Sequence, residues 1–85
     1  MPDEREYQSL VKDAERAVGA SDFARANVTL REALRLQEAA LGALHPEVAS
    51  TLNNLAVVSE TLGRMDEAEG YFRRGGVRRL VRLVR

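Results

Sequence analysis

Two segments of the chain resemble each other at an offset of 42 residues, and this internal repeat restricts the possible folds more than any other feature. "SDFARANVTLREAL" (21–34) aligns with "GRMDEAEGYFRRGG" (63–76). Ala26 and Ala68 occupy matching positions, where only a small side chain allows two crossing helices to approach closely. The other aligned pairs are Phe23 with Met65, Leu30 with Phe72, and Ala33 with Gly75. A repeat of this period is typical of helical arrays, in which each hairpin buries its apolar face against the next.

Four helices are predicted from the apolar periodicity and from the residues that start and end helices. The candidate starts are Asp3 with Glu6 as a capping box, Ser21 or Asp22, His45-Pro46, and a point near Met65. The candidate ends are Gly19, Gly42, Gly63 and Gly75-Gly76. The sequence therefore predicts an all-α fold of two helix-turn-helix hairpins, approximately 4–42 and 45–76.

Composition excludes several classes of protein. The 85 residues correspond to one small domain or to part of a longer protein. Without cysteine there are no disulfides or thiolate metal sites, and no apolar run approaches the ~20 residues of a transmembrane helix. The start of the chain, "MPDEREYQ", lacks the basic and then apolar order of a signal peptide. We therefore predict a soluble, cytoplasmic protein.

The last residues are opposite in charge to the rest of the chain. Residues 1–72 carry 13 acidic and 7 basic side chains, a net charge of −6, whereas residues 73–85 carry six arginines and no acid. Residues 77–85 are predicted to form a basic amphipathic helix or tail. Its basic side chains are Arg78, Arg79, Arg82 and Arg85, and its apolar stripe is Val77, Leu80, Val81 and Val84.

Two roles stay open for this tail. The apolar stripe covers the exposed end of the last repeat, or the tail binds an anionic membrane surface or the groove of a helix-binding protein. Nucleic acid is the least favoured partner, because no aromatic side chain is interleaved with the arginines for base stacking.

The segment "LGALHPEVASTLNNLAVVSETLGRMDEAEGYF" (41–72) combines a Leu-Gly helix end, a His-Pro, an "LNNLA" helix, a glycine turn and an "EAE" helix. This order resembles tetratricopeptide repeats, specifically those of the kinesin-light-chain type. The resemblance implies a fragment of a right-handed α-α superhelix with packing positions at Leu52, Leu55, Ala56, Gly63, Ala68 and Phe72. The first repeat (7–34) departs at Asp13 and Ser21, the second departs at Ser59, and the arginine-rich end departs most.

Catalytic groups are scarce in this sequence. His45 is the only histidine, and its position before Pro46 favours a role in capping the helix. Zinc would require three or four ligands, and His45 has no histidine or thiolate partner. Asp66, Glu67 and Glu69 are expected on a solvated helix start, where the helix dipole favours acidic groups. We predict a protein that is not an enzyme and needs no cofactor.

The resemblance implies that the first helix of each hairpin lines a concave groove in which peptides bind. The candidate peptide-binding residues are Asn53, Asn54, Val57, Glu60, Lys12 and Glu15, accompanied by Gln8, Val11, Val18, Ser50 and Thr61. An asparagine amide can donate hydrogen bonds to a peptide backbone and accept hydrogen bonds from it, whatever the peptide sequence. We expect Asn53 to face the groove. For Asn54, the groove and a contact with a neighbouring helix or loop both stay open.

One kind of ligand is argued against. Family members that capture acidic C-terminal tails resemble a carboxylate clamp of lysines and arginines, and the matching positions here hold Val11, Glu15, Ser50 and Asn53. The predicted function is therefore a protein-interaction scaffold that binds a different peptide or a partner domain. Self-association through uncapped repeat ends is an additional expectation, because about three repeats are generally needed for a stable array. The alternative is a membrane-surface or helix-groove adaptor that acts through the tail.

Overall fold

A computed structural model describes residues 3–76 of the chain, and these residues form four α-helices without a strand. The helices are α1 (Glu4–Gly19), α2 (Phe23–Leu41), α3 (Pro46–Thr61) and α4 (Met65–Gly75). Consecutive helices pack against each other, so that α1 and α2 form one hairpin, α3 and α4 form a second, and α2 packs on α3 between them. The predicted all-α fold class is confirmed. The tail residues Arg78, Arg79, Arg82 and Arg85 lie outside the described residues.

The first three helices start at predicted capping residues. The Asp3 carboxylate accepts a hydrogen bond from the Arg5 N–H at 3.0 Å, and the Glu6 carboxylate accepts one from the Asp3 N–H at 3.0 Å. Asp22, rather than Ser21, is the N-cap of α2. At the start of α3, Nδ1 of His45 accepts a hydrogen bond from the Glu47 N–H at 3.0 Å. The predicted capping role of His45 is therefore confirmed, and this bond satisfies one of the free N–H groups of the first turn.

The turns inside the two hairpins have the same backbone geometry. Ser21 and Gly63 lie 42 residues apart, and both adopt a positive φ, of +60° and +82°. The residue that follows each of them donates to a matching carbonyl: Asp22 N–H to Ala17 at 2.7 Å, and Arg64 N–H to Ser59 at 2.8 Å. The internal repeat therefore extends to individual backbone hydrogen bonds, although only one of the two turns has the glycine that tolerates this conformation without strain.

The core follows the repeated pattern of small and large apolar residues. Ala26 and Ala68 are both buried, as their predicted positions at the helix crossings require. The main core lies within the first hairpin and between the hairpins and contains Ala14, Ala17, Ala26, Leu30, Leu34, Val48, Leu52, Leu55 and Val58. A smaller cluster within the second hairpin contains Ala56, Ala68 and Phe72. The packing positions implied by the resemblance are thus filled by buried side chains, apart from the turn glycine.

Two buried polar pairs lie at the interface of α2 with α3. Asn27 donates through Nδ2 to Oγ of Ser59 at 3.4 Å, and Thr51 donates through Oγ1 to Oε1 of Gln37 at 2.6 Å. All four side chains are almost completely buried. Because a buried polar group costs free energy when its partner is lost, these pairs favour one register of the two hairpins. An ion pair between Glu38 of α2 and Arg74 of α4 also joins the hairpins.

Candidate functional site

A groove runs between α1 and α3, which are the first helices of the two hairpins. The α1 side chains that line it recur at helical spacing, and so do those of α3, because residues three and four apart share one face of a helix. The groove has two adjoining parts, which we call the apolar part and the polar part. The lining residues of α1 are Gln8, Val11, Lys12, Glu15 and Val18, and those of α3 include Glu47, Ser50, Asn54 and Val57.

The apolar part is a depression of about 340 Å³. Val18 and Val57 form its edges and are 41% and 53% exposed, although both are large aliphatic side chains. Phe23, at the start of α2, closes one end, and the floor is formed by Ala14, Leu30 and Val58. Exposed valines that border a depression provide apolar surface that a ligand can cover, which is a source of binding free energy.

The polar part continues along the same two helices as a depression of about 440 Å³. Gln8 and Lys12 line it from α1, Glu47 and Ser50 line it from α3, and the buried Gln37–Thr51 pair contributes its floor. Burial raises the pKa of the neighbouring Tyr7 above its usual value, and the negative charge of Glu47 raises it further. Glu47 therefore adds a negative charge at this end of the groove, where Lys12 adds a positive one.

Three residues line both parts and therefore lie where the parts meet: Val11, Glu15 and Asn54. Asn54 is exposed, and its amide has no hydrogen-bond partner among residues 3–76. Its two N–H groups and its carbonyl oxygen are therefore available to a ligand. Of the two orientations considered for Asn54, the structure supports the groove.

The prediction that Asn53 faces the groove is wrong. Its side chain lies on the α4 side of α3, where a Cβ built on Gly75 would be only 2.3 Å from Oδ1 of Asn53. That oxygen is buried and has no hydrogen-bond partner in the described part of the chain. Successive residues of an α-helix are about 100° apart around its axis, so Asn53 contacts the partner helix α4 while Asn54, the next residue, faces the groove.

The other predicted binding residues divide between the groove and its surroundings. Lys12, Glu15, Asn54 and Val57 are brought together, whereas Glu60 lines neither part of the groove. Besides the buried floor residues Ala14, Leu30 and Val58, the lining residues that the sequence argument missed are Phe23, Gln37, Glu47 and Thr51. Phe23 and Gln37 belong to α2, and a rule that assigns the groove to the first helix of each hairpin has no means of selecting them. Glu47 and Thr51 lie on α3 and were recognisable from their helical spacing to Ser50 and Asn54.

Comparison with known proteins agrees with this architecture. The sequence profile of the family described as "Tetratricopeptide repeat" matches residues 13–75, which is more than half of the chain. The chain belongs to the tetratricopeptide repeat family. No curated protein and no solved structure gave a significant match. Tetratricopeptide repeats generally mediate protein–protein interaction.

The residues described by the structure were also compared with the requirements of a metal site and of a membrane-spanning helix. Within residues 3–76, no three side chains of histidine, aspartate or glutamate are grouped so that they could hold a metal ion. None of the four helices combines the length and the hydropathy that crossing a bilayer requires.

Proposed function

We propose that this tetratricopeptide module binds a peptide segment of a partner protein in the groove between α1 and α3, without catalysing a reaction. The observation that carries the proposal is the continuity of an apolar and a polar part around Asn54, whose amide is exposed and unpaired within residues 3–76. The apolar part provides surface for a large side chain of the ligand. Asn54 provides hydrogen bonds to the ligand backbone that do not depend on the ligand's sequence.

The architecture also favours a preformed site. Both helices that line the groove are fixed through the core, because Leu52 and Leu55 of α3 pack with Ala14 and Ala17 of α1 in one cluster. A site on packed helices loses little conformational entropy when a ligand binds. We therefore expect the ligand, rather than the groove, to become ordered on binding.

A peptide-array screen with the 85-residue protein tests this proposal. Peptides that bind are re-measured in solution against Val57→Lys, which places a charge at the edge of the apolar part. The matched control is Val28→Lys, because Val28 is also an exposed valine, 66% against 53%, and lies outside the groove. We expect Val57→Lys to weaken binding by about tenfold or more, since both an apolar contact and its desolvation are lost. Equal affinities of the two variants would contradict the proposal.

The two asparagines provide a second matched pair. Asn54→Ala should weaken the binding of the same peptides by about three- to tenfold, the loss expected for one or two hydrogen bonds. Asn53→Ala should leave their affinity unchanged, because that amide faces Gly75. Weaker binding in Asn53→Ala alone, measured by isothermal titration calorimetry, would place the ligand elsewhere.

Other expectations remain predictions. The kinesin-light-chain type of repeat depends on the "LNNLA" pattern, and a cytoplasmic location depends on composition. Self-association through the repeat ends is checked by the molar mass in solution from light scattering, and the mass of a single chain would contradict it. The tail adaptor concerns residues outside the described part, and no structural observation supports it.

A further inference from the structure

We infer that the peptide recognised by this groove is basic and apolar, with an arginine or lysine beside a large apolar side chain. This inference rests on the proposed function, because it specifies the ligand of the same groove. It is carried by the position of two carboxylates in the groove, by the absence of ion pairs at those carboxylates within residues 3–76, and by the net charge of the described residues.

The carboxylate of Glu15 is the central feature. Glu15 lies on α1 between Val11 and Val18 in helical spacing and lines both parts of the groove. A ligand whose apolar side chain fills the apolar part therefore places its neighbouring residues close to Glu15. Among residues 3–76, ion pairs occur at Asp3, Asp13, Glu32 and Glu38, and Glu15 is not in one.

A second carboxylate, that of Glu47, lies at the far end of the polar part. It also takes part in no ion pair within the described residues. Asn54, which lies with Glu15 where the two parts meet, follows Glu47 by seven positions, or about 10 Å along α3. An extended peptide covers that distance in about three residues, so a single short segment can reach both carboxylates.

The groove also contains one positive charge. Lys12 lines the polar part beside the two glutamates, so the charged groups of the lining are two carboxylates and one ammonium. The described residues 3–76 as a whole have the same sign of charge, with 13 acidic and 9 basic side chains. A groove and a module that are both negative overall attract basic peptides and repel acidic ones, an effect that weakens as salt is added.

The affinity of the 85-residue protein for three labelled peptides tests this inference. The peptides share the same leucines and serines and differ at two positions, which hold arginine, glutamine or glutamate. At low ionic strength we expect the arginine peptide to bind about tenfold more tightly than the glutamine peptide, because two exposed ion pairs together give about that factor. The glutamate peptide should bind most weakly.

Charge-neutralising variants locate the effect. Glu15→Gln and Glu47→Gln should each weaken the arginine peptide about threefold and leave the glutamine peptide unchanged. Glu67→Gln is the control, because Glu67 is an exposed carboxylate at the start of α4, away from the groove. All measurements are repeated in an 85-residue variant with Arg78, Arg79, Arg82 and Arg85 changed to glutamine, so that the chain's own arginines do not compete with the peptide.

The possible failures can be told apart. If all three peptides bind with one affinity and Val57→Lys weakens them equally, the groove binds peptides and the inference about charge is wrong. Stronger binding of the glutamate peptide would also overturn it. If no peptide binds at 1 mM (about the weakest affinity of interest) either to the protein or to its variant without the four tail arginines, both the inference and the proposed function are contradicted.

Discussion

The two hairpins have the same backbone plan but reach it with different side chains. In the first hairpin, the positions that match Asn53 and Gly75 hold Val11 and Ala33, and Ala33 is completely buried. In the second, a glycine makes room for an amide whose oxygen has no partner in residues 3–76. The first hairpin also has a serine at the strained turn position where the second has Gly63.

This comparison shows which parts of the repeat are fixed and which can vary. The small residues at the helix crossings, Ala26 and Ala68, are the same and are both buried. The position of Leu55, completely buried in α3, corresponds to the half-buried Asp13 in α1. The difference follows from how the helices are covered: α3 packs against both α2 and α4, whereas α1 packs on α2. The position therefore needs an apolar residue in α3, where a second hairpin covers it, and tolerates an aspartate in α1.

The largest change in stability is expected at Leu55, and the matched position Asp13 provides the comparison. Leu55→Ala should lower the free energy of unfolding by about 3 kcal/mol, because it leaves a cavity in the core. Asp13→Ala should change it by about 0.5 kcal/mol or less, since Asp13 forms only an exposed ion pair with Arg16. Urea unfolding followed by circular dichroism measures both values. Similar losses in the two variants would show that the hairpins are equally covered.

A smaller effect is expected where α3 crosses the end of α4. Gly75→Ala should destabilise the protein by about 1–2 kcal/mol, because the added Cβ overlaps Oδ1 of Asn53 and lies 3.2 Å from the carbonyl oxygen of Ala49. In an Asn53→Ala background the first overlap disappears, and the same substitution should become neutral or stabilising through the helix propensity of alanine. The four proteins form a double-mutant cycle, and a coupling energy near zero would refute this packing.

The smallest effect is expected at the two turns. Ser21→Gly should stabilise the protein by about 0.5–1 kcal/mol, because glycine adopts the positive φ of this position without steric strain. Gly63→Ser, the reverse exchange at the matching position, should destabilise it by a similar amount. Thermal unfolding of the two variants against wild type measures both. The comparison of the turns fails if the two substitutions have the same sign.

Local features of this fold were predictable because they depend on neighbours in the chain. The capping box at Asp3 and Glu6, the cap at His45 and the helix ends at Gly42 and Gly76 follow from backbone groups that must be satisfied within one turn. The buried alanines at the crossings followed from the internal repeat. The groove was predictable in outline, because the resemblance to tetratricopeptide repeats implied that Lys12, Glu15 and Val57 line it, and all three do.

The orientation of the two asparagines was not predictable in the same way. Assigning a face to one residue requires the rotation of α3 about its axis, which is set by how α2 and α4 pack on it. An error of one position rotates the helix by about 100° and exchanges the roles of Asn53 and Asn54. Phe23 belongs to α2, so its contribution to the groove likewise depends on how the helices pack against each other.

Periodicity and contacts within a few residues were therefore enough to predict the fold class, four helices and the repeat that relates the hairpins. The asparagine that faces the groove, the carboxylates that line the groove and the close contact of Gly75 with Asn53 emerged only from the folded arrangement. These features depend on distances between helices, and close packing of the core fixes those distances only when the helices have come together.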